Sequence, residues 1–173
     1  MILRVLTQRI EGKAKDYISG SQFGFRRGVG IRNAIGTMGM LIQRSLEYNN
    51  KMYVCSVDFE KAFDRVSWTI MMAILKTIGA DWRDRRLIAE LYYRQEMIVR
   101  TDGQESEPCI VGRGVRQGCL VSPLLFSLYA EFMMMEAMEE VEEGIKVGGK
   151  LLKNIRFAGD QGMLEIRNDA YRK

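Results

Sequence analysis

Histidine is absent from the 173-residue chain, and its absence excludes several kinds of active site. Catalytic triads of the Ser-His-Asp type, Cys-His nucleophile pairs and imidazole-ligated zinc sites all need a histidine. The three cysteines, Cys55, Cys109 and Cys119, are widely spaced and odd in number, so they do not make a disulfide framework. We therefore expect free thiols and a reducing compartment. Carboxylates working with hard metal ions remain available for catalysis.

Long apolar runs and linker-like segments are also missing. Charged residues interrupt the first twenty positions every few residues, which is typical of neither a signal peptide nor a membrane span. There are only two prolines and no internal repeat, so we expect a single domain over residues 1–173 with no membrane partner. The formal net charge of +4 is compatible with an anionic partner but is too small to establish one.

The hydrophobic pattern predicts an α+β fold with a small sheet and helices packed against it. Helices are predicted over residues 2–17, 33–47, 68–78 and 82–94, and a longer one begins at Ser122-Pro123. A hairpin is predicted around Asp102-Gly103, and a second one joins residues 145–147 to 154–158 through Gly148-Gly149. This order is too irregular for a doubly wound parallel sheet.

The run Met52–Val57 is almost continuously apolar and predicts a strand covered on both faces, ending at Asp58. A carboxylate at the end of such a strand is held rigidly while one edge faces solvent, and it suits Mg²⁺, which prefers oxygen ligands. A strand-terminal aspartate is also a common turn residue, so Asp58 alone does not decide between the two interpretations.

Two further segments carry groups suited to phosphate chemistry. Asp160 lies in a predicted tight turn, Phe157–Asp160, and beside Asp58 it could share a pair of metal ions that activate a hydroxyl and stabilise pyrophosphate. Residues 112–123 combine glycines and arginines ahead of a helix, a pattern that favours phosphate. A plain hairpin turn and a flexible basic loop are the alternatives.

Taken in order, four blocks resemble the reverse transcriptases of non-LTR (LINE-type) retrotransposons: Gln22–Arg26, Asp58–Asp64, Gly114–Phe126 and Phe157–Asp160. The resemblance covers roughly residues 2–166. It implies a polymerase palm, with partial fingers over about residues 1–50, the palm over about 51–166 and no thumb.

The resemblance also implies a site. Asp58 and Asp160 would be the catalytic carboxylates and, with the main-chain oxygen of Phe59, the ligands of Mg²⁺ or Mn²⁺. Phe63, five residues after Asp58, would be the steric gate against a ribose 2′-hydroxyl. Nucleotide or template contacts are implied for Arg26, Phe59, Lys61, Phe63, Gln117 and Gly118. The implied partners are an RNA template, a DNA primer and deoxynucleoside triphosphates, in the cytoplasm or nucleus.

The last block departs from the family pattern at Gly159, where the family has the first of two adjacent aspartates. Losing one metal ligand would cost on the order of 10³-fold or more in rate. We therefore expect polymerase activity to be impaired by Gly159 and by the missing thumb. The alternative is a catalytically inactive, retroelement-derived module. It would bind RNA through Arg26, Arg27, Arg113 and Arg116, or a protein partner at the exposed palm surface.

Overall fold

The computed structural model describes residues 1–167, apart from the side chain of residue 167. Its helices are α1 (Ile2–Ala14), α2 (Ile31–Glu47), α3 (Trp68–Thr77), α4 (Trp82–Tyr92) and α5 (Ser122–Ala137), with a 3-10 turn at Ala62–Arg65. Its strands are β1 (Lys51–Asp58), β2 (Glu96–Met97), β3 (Arg100–Thr101), β4 (Gln104–Glu105), β5 (Cys109–Ile110), β6 (Ile145–Val147), β7 (Lys150–Leu152), β8 (Asn154–Phe157) and β9 (Asp160–Arg167).

The chain forms two compact units. The helical unit contains Met1–Tyr17 and Lys61–Tyr129, and the sheet unit contains Ile18–Glu60 and the described residues from 130 onward. None of the described helices is both long enough and apolar enough to cross a membrane. The three cysteines are free thiols, and Cys55 and Cys109 are exposed.

In the helical unit, short-range signals set the boundaries of α3 and α4. Ser67 stands at the N-cap position of α3, and Gly79 follows the helix with a left-handed φ of 72°. The Asp81 carboxylate caps α4 by accepting a hydrogen bond from the Arg83 amide at 2.8 Å. The predicted hairpin is also present, because β3 and β4 pair across Asp102-Gly103, where both residues have positive φ.

The sheet unit is built on a three-stranded antiparallel sheet with the order β1-β9-β8. Side chains of α2 pack on this sheet and form its hydrophobic core with Ile145 of β6. The buried members of this core are Ala34, Leu41, Ile145, Ile155 and Leu164, with Met52 and Ile166 partly buried against them. The α2 helix therefore covers one face of the sheet.

Two sequence predictions about this unit are wrong. β1 is not covered on both faces, because the adjacent residues Tyr53 and Val54 are each 49% exposed. β1 is an edge strand, and Met52 is its residue that packs on the hydrophobic core. Residues 145–147 also do not pair with 154–158. Gly148 and Gly149 both have positive φ and form a two-residue turn, so β6 pairs with β7, while β8 pairs with β9.

A buried ion pair joins β8 to α5 inside the sheet unit. The Arg156 and Glu131 side chains are only 2% and 4% exposed, and Nη2 of Arg156 lies 2.9 Å from Oε2 of Glu131. The same Glu131 oxygen accepts a hydrogen bond from the Ser19 amide at 3.0 Å. Arg156 also donates to the Ser21 hydroxyl at 3.2 Å. This network therefore holds the segment after residue 18 against both β8 and α5.

Replacing Glu131 tests this network. Glu131→Ala leaves the Arg156 guanidinium buried without its counter-charge, so we expect the free energy of unfolding to fall by about 3–5 kcal/mol. Urea unfolding followed by circular dichroism measures the loss. The matched control is Glu139→Ala, which removes an exposed carboxylate and is expected to change stability by no more than about 0.5 kcal/mol. Equal losses in the two variants would contradict the buried-pair account.

Candidate functional site

The ends of β1 and β9 bring Asp58 and Asp160 together. β1 ends at Asp58, β9 begins at Asp160, and the antiparallel register makes these two residues direct partners. Directly opposed residues share a face of the sheet, with Cβ atoms about 4.5–5.5 Å apart. Both aspartates are exposed. The neighbouring placement that the sequence predicts for the two carboxylates is thus present, while their roles stay a prediction.

The donor set at this position is small. Two opposed carboxylates and the main-chain oxygen of Phe59 are hard oxygen donors of the kind that Mg²⁺ and Mn²⁺ accept. Across residues 1–167 there is no group of three or more His, Cys, Asp or Glu side chains arranged to hold a metal ion. Gly159, in the turn beside Asp160, has no side-chain donor to add. The residues present therefore fit one weakly held divalent cation.

Residues of the Gln22–Arg26 block contact the turn between β8 and β9 and stabilise it. Ala158 in this turn has a left-handed φ of 56°, and its backbone lies against Gly24. The side chain of Gln22 is fully buried and hydrogen-bonds to the Ala158 backbone. Sequence reasoning assigned Gln22 to a block but missed it as a site residue. Neighbouring residues gave no signal of this role, because Ala158 lies 136 positions away along the chain.

Arg26 and Phe59, two of the predicted contact residues, also lie in the sheet unit. The Arg26 guanidinium donates to the carbonyls of Ser19 and Gln22, at 2.8 and 3.1 Å. It therefore braces its own loop, and its predicted contact with phosphate stays a prediction. Phe59 follows Asp58 directly, and the residue is 37% exposed.

The other predicted contact residues lie in the helical unit. Lys61 is exposed, with a left-handed φ of 52°. The Phe63 ring stacks on Phe126, with ring centroids 4.9 Å apart. Gln117 and Gly118 are exposed, and Gly118 has a φ of 79°. The structure therefore divides the predicted site residues between the two units.

Within the helical unit, the glycine- and arginine-rich loop is anchored to the segment that carries Phe63. The Val115 amide donates to the Phe63 carbonyl at 2.9 Å, and the Gly114 amide donates to the Val66 carbonyl at 2.8 Å. Gly114 has a φ of 96°, and a Cβ there would lie 3.0 Å from the Asp64 backbone, so the position requires glycine. The loop is thus fixed at its base, with Arg113 and Arg116 exposed.

A second anchor of this loop runs through aromatic side chains. The indole N–H of Trp68 donates to the Gly114 carbonyl at 2.7 Å, and the Trp68 ring packs on Tyr92. Burial raises the pKa of the Tyr92 phenol, whose oxygen lies 3.5 Å from the Ser122 hydroxyl at the start of α5. Tyr92 therefore stays neutral at physiological pH and acts here as a packing residue.

Comparison with known proteins identifies the family to which the chain is similar. Residues 1–159 match the family described as Reverse transcriptase (RNA-dependent DNA polymerase). Two similar proteins are Pol polyproteins of R2 retrotransposable elements. The one from Drosophila melanogaster is 27% identical over 80% of this chain and 13% of its own length. The one from Popillia japonica is 25% identical over 95% of this chain and 23% of its own length. The chain thus spans less than a quarter of either relative.

A structural neighbour agrees with the predicted fold. Telomerase from Candida albicans, solved with a TWJ fragment of telomeric RNA, superposes with a TM-score of 0.59 at 12% identity. The match covers 95% of this chain and 29% of that one. At this identity the likeness shows the fold alone, which is the α+β, palm-like polymerase fold that the sequence predicts.

Removing either carboxylate tests the paired site. Asp58→Asn and Asp160→Asn each take away a charged donor, so we expect Mn²⁺ affinity to fall by roughly tenfold or more. Isothermal titration or the electron paramagnetic resonance signal of free Mn²⁺ measures it. Asp102→Asn removes the same charge from an exposed hairpin turn and should leave the affinity unchanged. Unaltered binding in both site variants would rule out a cation held between them.

Proposed function

The chain belongs to the reverse transcriptase family, in its non-LTR retrotransposon branch, and from this we propose that it is the fingers-and-palm part of an RNA-directed DNA polymerase. The observation that supports this most directly is the pairing of Asp58 with Asp160 at the open ends of β1 and β9. Since the chain spans under a quarter of its R2 relatives, this activity is proposed for the chain as a contributing part.

The proposed substrates follow from the chemistry of nucleotidyl transfer. A primer hydroxyl attacks the α-phosphorus of a deoxynucleoside triphosphate and forms a new P–O bond. The P–O bond to pyrophosphate breaks, pyrophosphate leaves, and the hydroxyl proton passes to water. Asp58, Asp160 and the main-chain oxygen of Phe59 would hold Mg²⁺ or Mn²⁺. When bound, such an ion polarises phosphate oxygens and lowers the pKa of the attacking hydroxyl. The template would be RNA and the primer DNA.

The remaining predicted residues have proposed roles in placing the nucleotide. An aromatic ring at Phe63 would exclude a ribose 2′-hydroxyl, and its stacking on Phe126 supports a fixed ring position. Gln117 and Gly118 would contact the incoming nucleotide and template, and the anchored base of their loop supports a defined position. The cations of Arg26 and Lys61 would lie near phosphate oxygens.

We also propose that the polymerase activity of this chain is impaired by Gly159. Gly159 leaves two carboxylates where the family pattern has three, and each missing donor weakens the hold on a divalent cation. Restoring an aspartate at position 159 therefore tests whether the missing donor limits the activity.

Gly159→Asp is expected to raise the rate of primer extension on an RNA template by on the order of 10³-fold, because it returns a metal ligand. The assay uses Mg²⁺ and Mn²⁺ separately. Gly20→Asp adds the same charge at an exposed glycine with open space around it, and it should change nothing. Asp58→Asn added to Gly159→Asp should abolish the gain. An inert Gly159→Asp protein that still binds Mn²⁺ more tightly would separate metal binding from catalysis.

A catalytically inactive RNA-binding module is the second candidate. The exposure of Arg113 and Arg116 on an anchored loop favours it. Such a module would hold phosphates through these arginines whether or not a cation is bound. Such a module is distinguished by RNA binding that weakens steeply as the salt concentration rises and that needs no divalent ions.

Arg113→Ala with Arg116→Ala is expected to weaken retention of single-stranded RNA on a filter. The slope of log affinity against log salt should become shallower by roughly 0.7 for each phosphate that the protein no longer neutralises. Arg83→Ala with Arg86→Ala removes equal charge from the exposed surface of α4 in the same unit and should preserve the slope. Salt-independent retention, or equal weakening in both double variants, would exclude phosphate binding at this loop.

A further inference from the structure

The side chain of Gln22 is fully buried, and its amide spans the peptide groups of one residue in the β8–β9 turn. Its Oε1 accepts from the Ala158 amide at 3.0 Å, and its Nε2 donates to the Ala158 carbonyl at 3.4 Å. Oε1 also accepts from the Gly24 amide at 2.9 Å. The Gln22 side chain thus provides hydrogen-bond partners for three backbone groups, two of Ala158 and one of Gly24.

Ala158 needs such support. Its φ of 56° is left-handed, a conformation that is strained for a residue other than glycine. Ala158 is followed by Gly159 and then by Asp160, the first residue of β9. The direction in which the chain leaves Ala158 therefore sets how Asp160 enters the sheet opposite Asp58.

Backbone hydrogen bonds on both sides of Gln22 place its side chain against Ala158. The Arg156 amide donates to the Ser21 carbonyl at 2.9 Å, and the Phe23 amide donates to the Arg156 carbonyl at 2.8 Å. These two bonds lay the segment beside β8 in parallel. A Cβ on Gly24 would overlap the backbone nitrogen of Ala158, so this close approach requires glycine.

We propose that Gln22 is a positioning residue for the carboxylate pair: by holding both peptide groups of Ala158 it fixes the turn that places Asp160 opposite Asp58. In treating these carboxylates as cation ligands, the inference rests on the proposed function. Its geometric part concerns only the turn and holds with or without catalysis.

The test compares two buried glutamines of the same sheet unit. Gln22→Met keeps the length of the side chain and removes all three hydrogen bonds. Gln161→Met is the matched control, because Gln161 is 2% exposed and neither polar atom of its side chain has a hydrogen-bond partner in the described structure. The same substitution at equal burial therefore removes hydrogen bonds in one variant only.

The first measurement is amide hydrogen exchange of Ala158 by nuclear magnetic resonance. With its acceptor gone, the Ala158 amide in Gln22→Met should exchange about tenfold faster or more, while Gln161→Met keeps the native rate. Gln22→Glu, studied at a pH that keeps its carboxyl protonated, retains an acceptor oxygen and an O–H donor and should keep the Ala158 amide protected. If Gln22→Met does not fold, Gln22→Glu decides alone, and fast exchange in that variant overturns the proposal.

The second measurement is paramagnetic broadening of the Asp58 and Asp160 resonances by added Mn²⁺. A misplaced turn should raise the Mn²⁺ concentration needed for half-broadening by roughly tenfold in Gln22→Met and leave it unchanged in Gln161→Met. Native behaviour of Gln22→Met in both measurements, or equal changes in both variants, overturns the positioning role. Because neither readout needs primer extension, an inert wild-type chain would defeat the proposed function and leave this result standing.

Discussion

The antiparallel register of β1 on β9 is the constraint on which the candidate site depends. A slip of one residue would move Asp160 away from Asp58 and turn the side chains of β9 to the opposite face. Met52, Leu164 and Ile166 prevent this slip, because they share the face that packs on α2. The hydrophobic core at one end of the strands therefore fixes the alignment of two exposed carboxylates at the other end.

A second, polar constraint acts on the neighbouring strand. Arg156 and Glu131 form a buried pair, and the hydroxyl of Ser21 both accepts from Arg156 and donates to Asn154 at 2.9 Å. Burying two charges is costly unless their geometry is satisfied, so such a network favours one arrangement of its elements over others. Here that arrangement sets the segment carrying Gln22 beside β8, which hydrophobic contacts alone would not specify.

The features predicted correctly from sequence are those governed by neighbouring residues. The Asp102-Gly103 hairpin, the start of α5 at Ser122-Pro123 and the end of β1 at Asp58 each depend on a few adjacent positions. Burial of Gln22 and Arg156 could not be predicted this way, because their hydrogen-bond partners Ala158 and Glu131 lie 136 and 25 positions away along the chain, respectively. The prediction that β1 is covered on both faces was wrong for a related reason. An apolar run does not reveal which faces of a strand other elements will cover.

The geometry of the turn and the chemistry of the site rest on different atoms. Gln22 and Gly24 engage the backbone of Ala158, and none of these contacts involves a side chain at position 159. The turn can therefore keep its shape whether position 159 carries a carboxylate or, as here, only hydrogen. Under the proposed function, a missing metal ligand would remove catalytic stabilisation without removing any interaction that folds the turn. The fold of a reverse transcriptase can therefore persist after its polymerase activity is lost. The strength of cation binding, rather than the fold, decides which of the two proposed functions this chain retains.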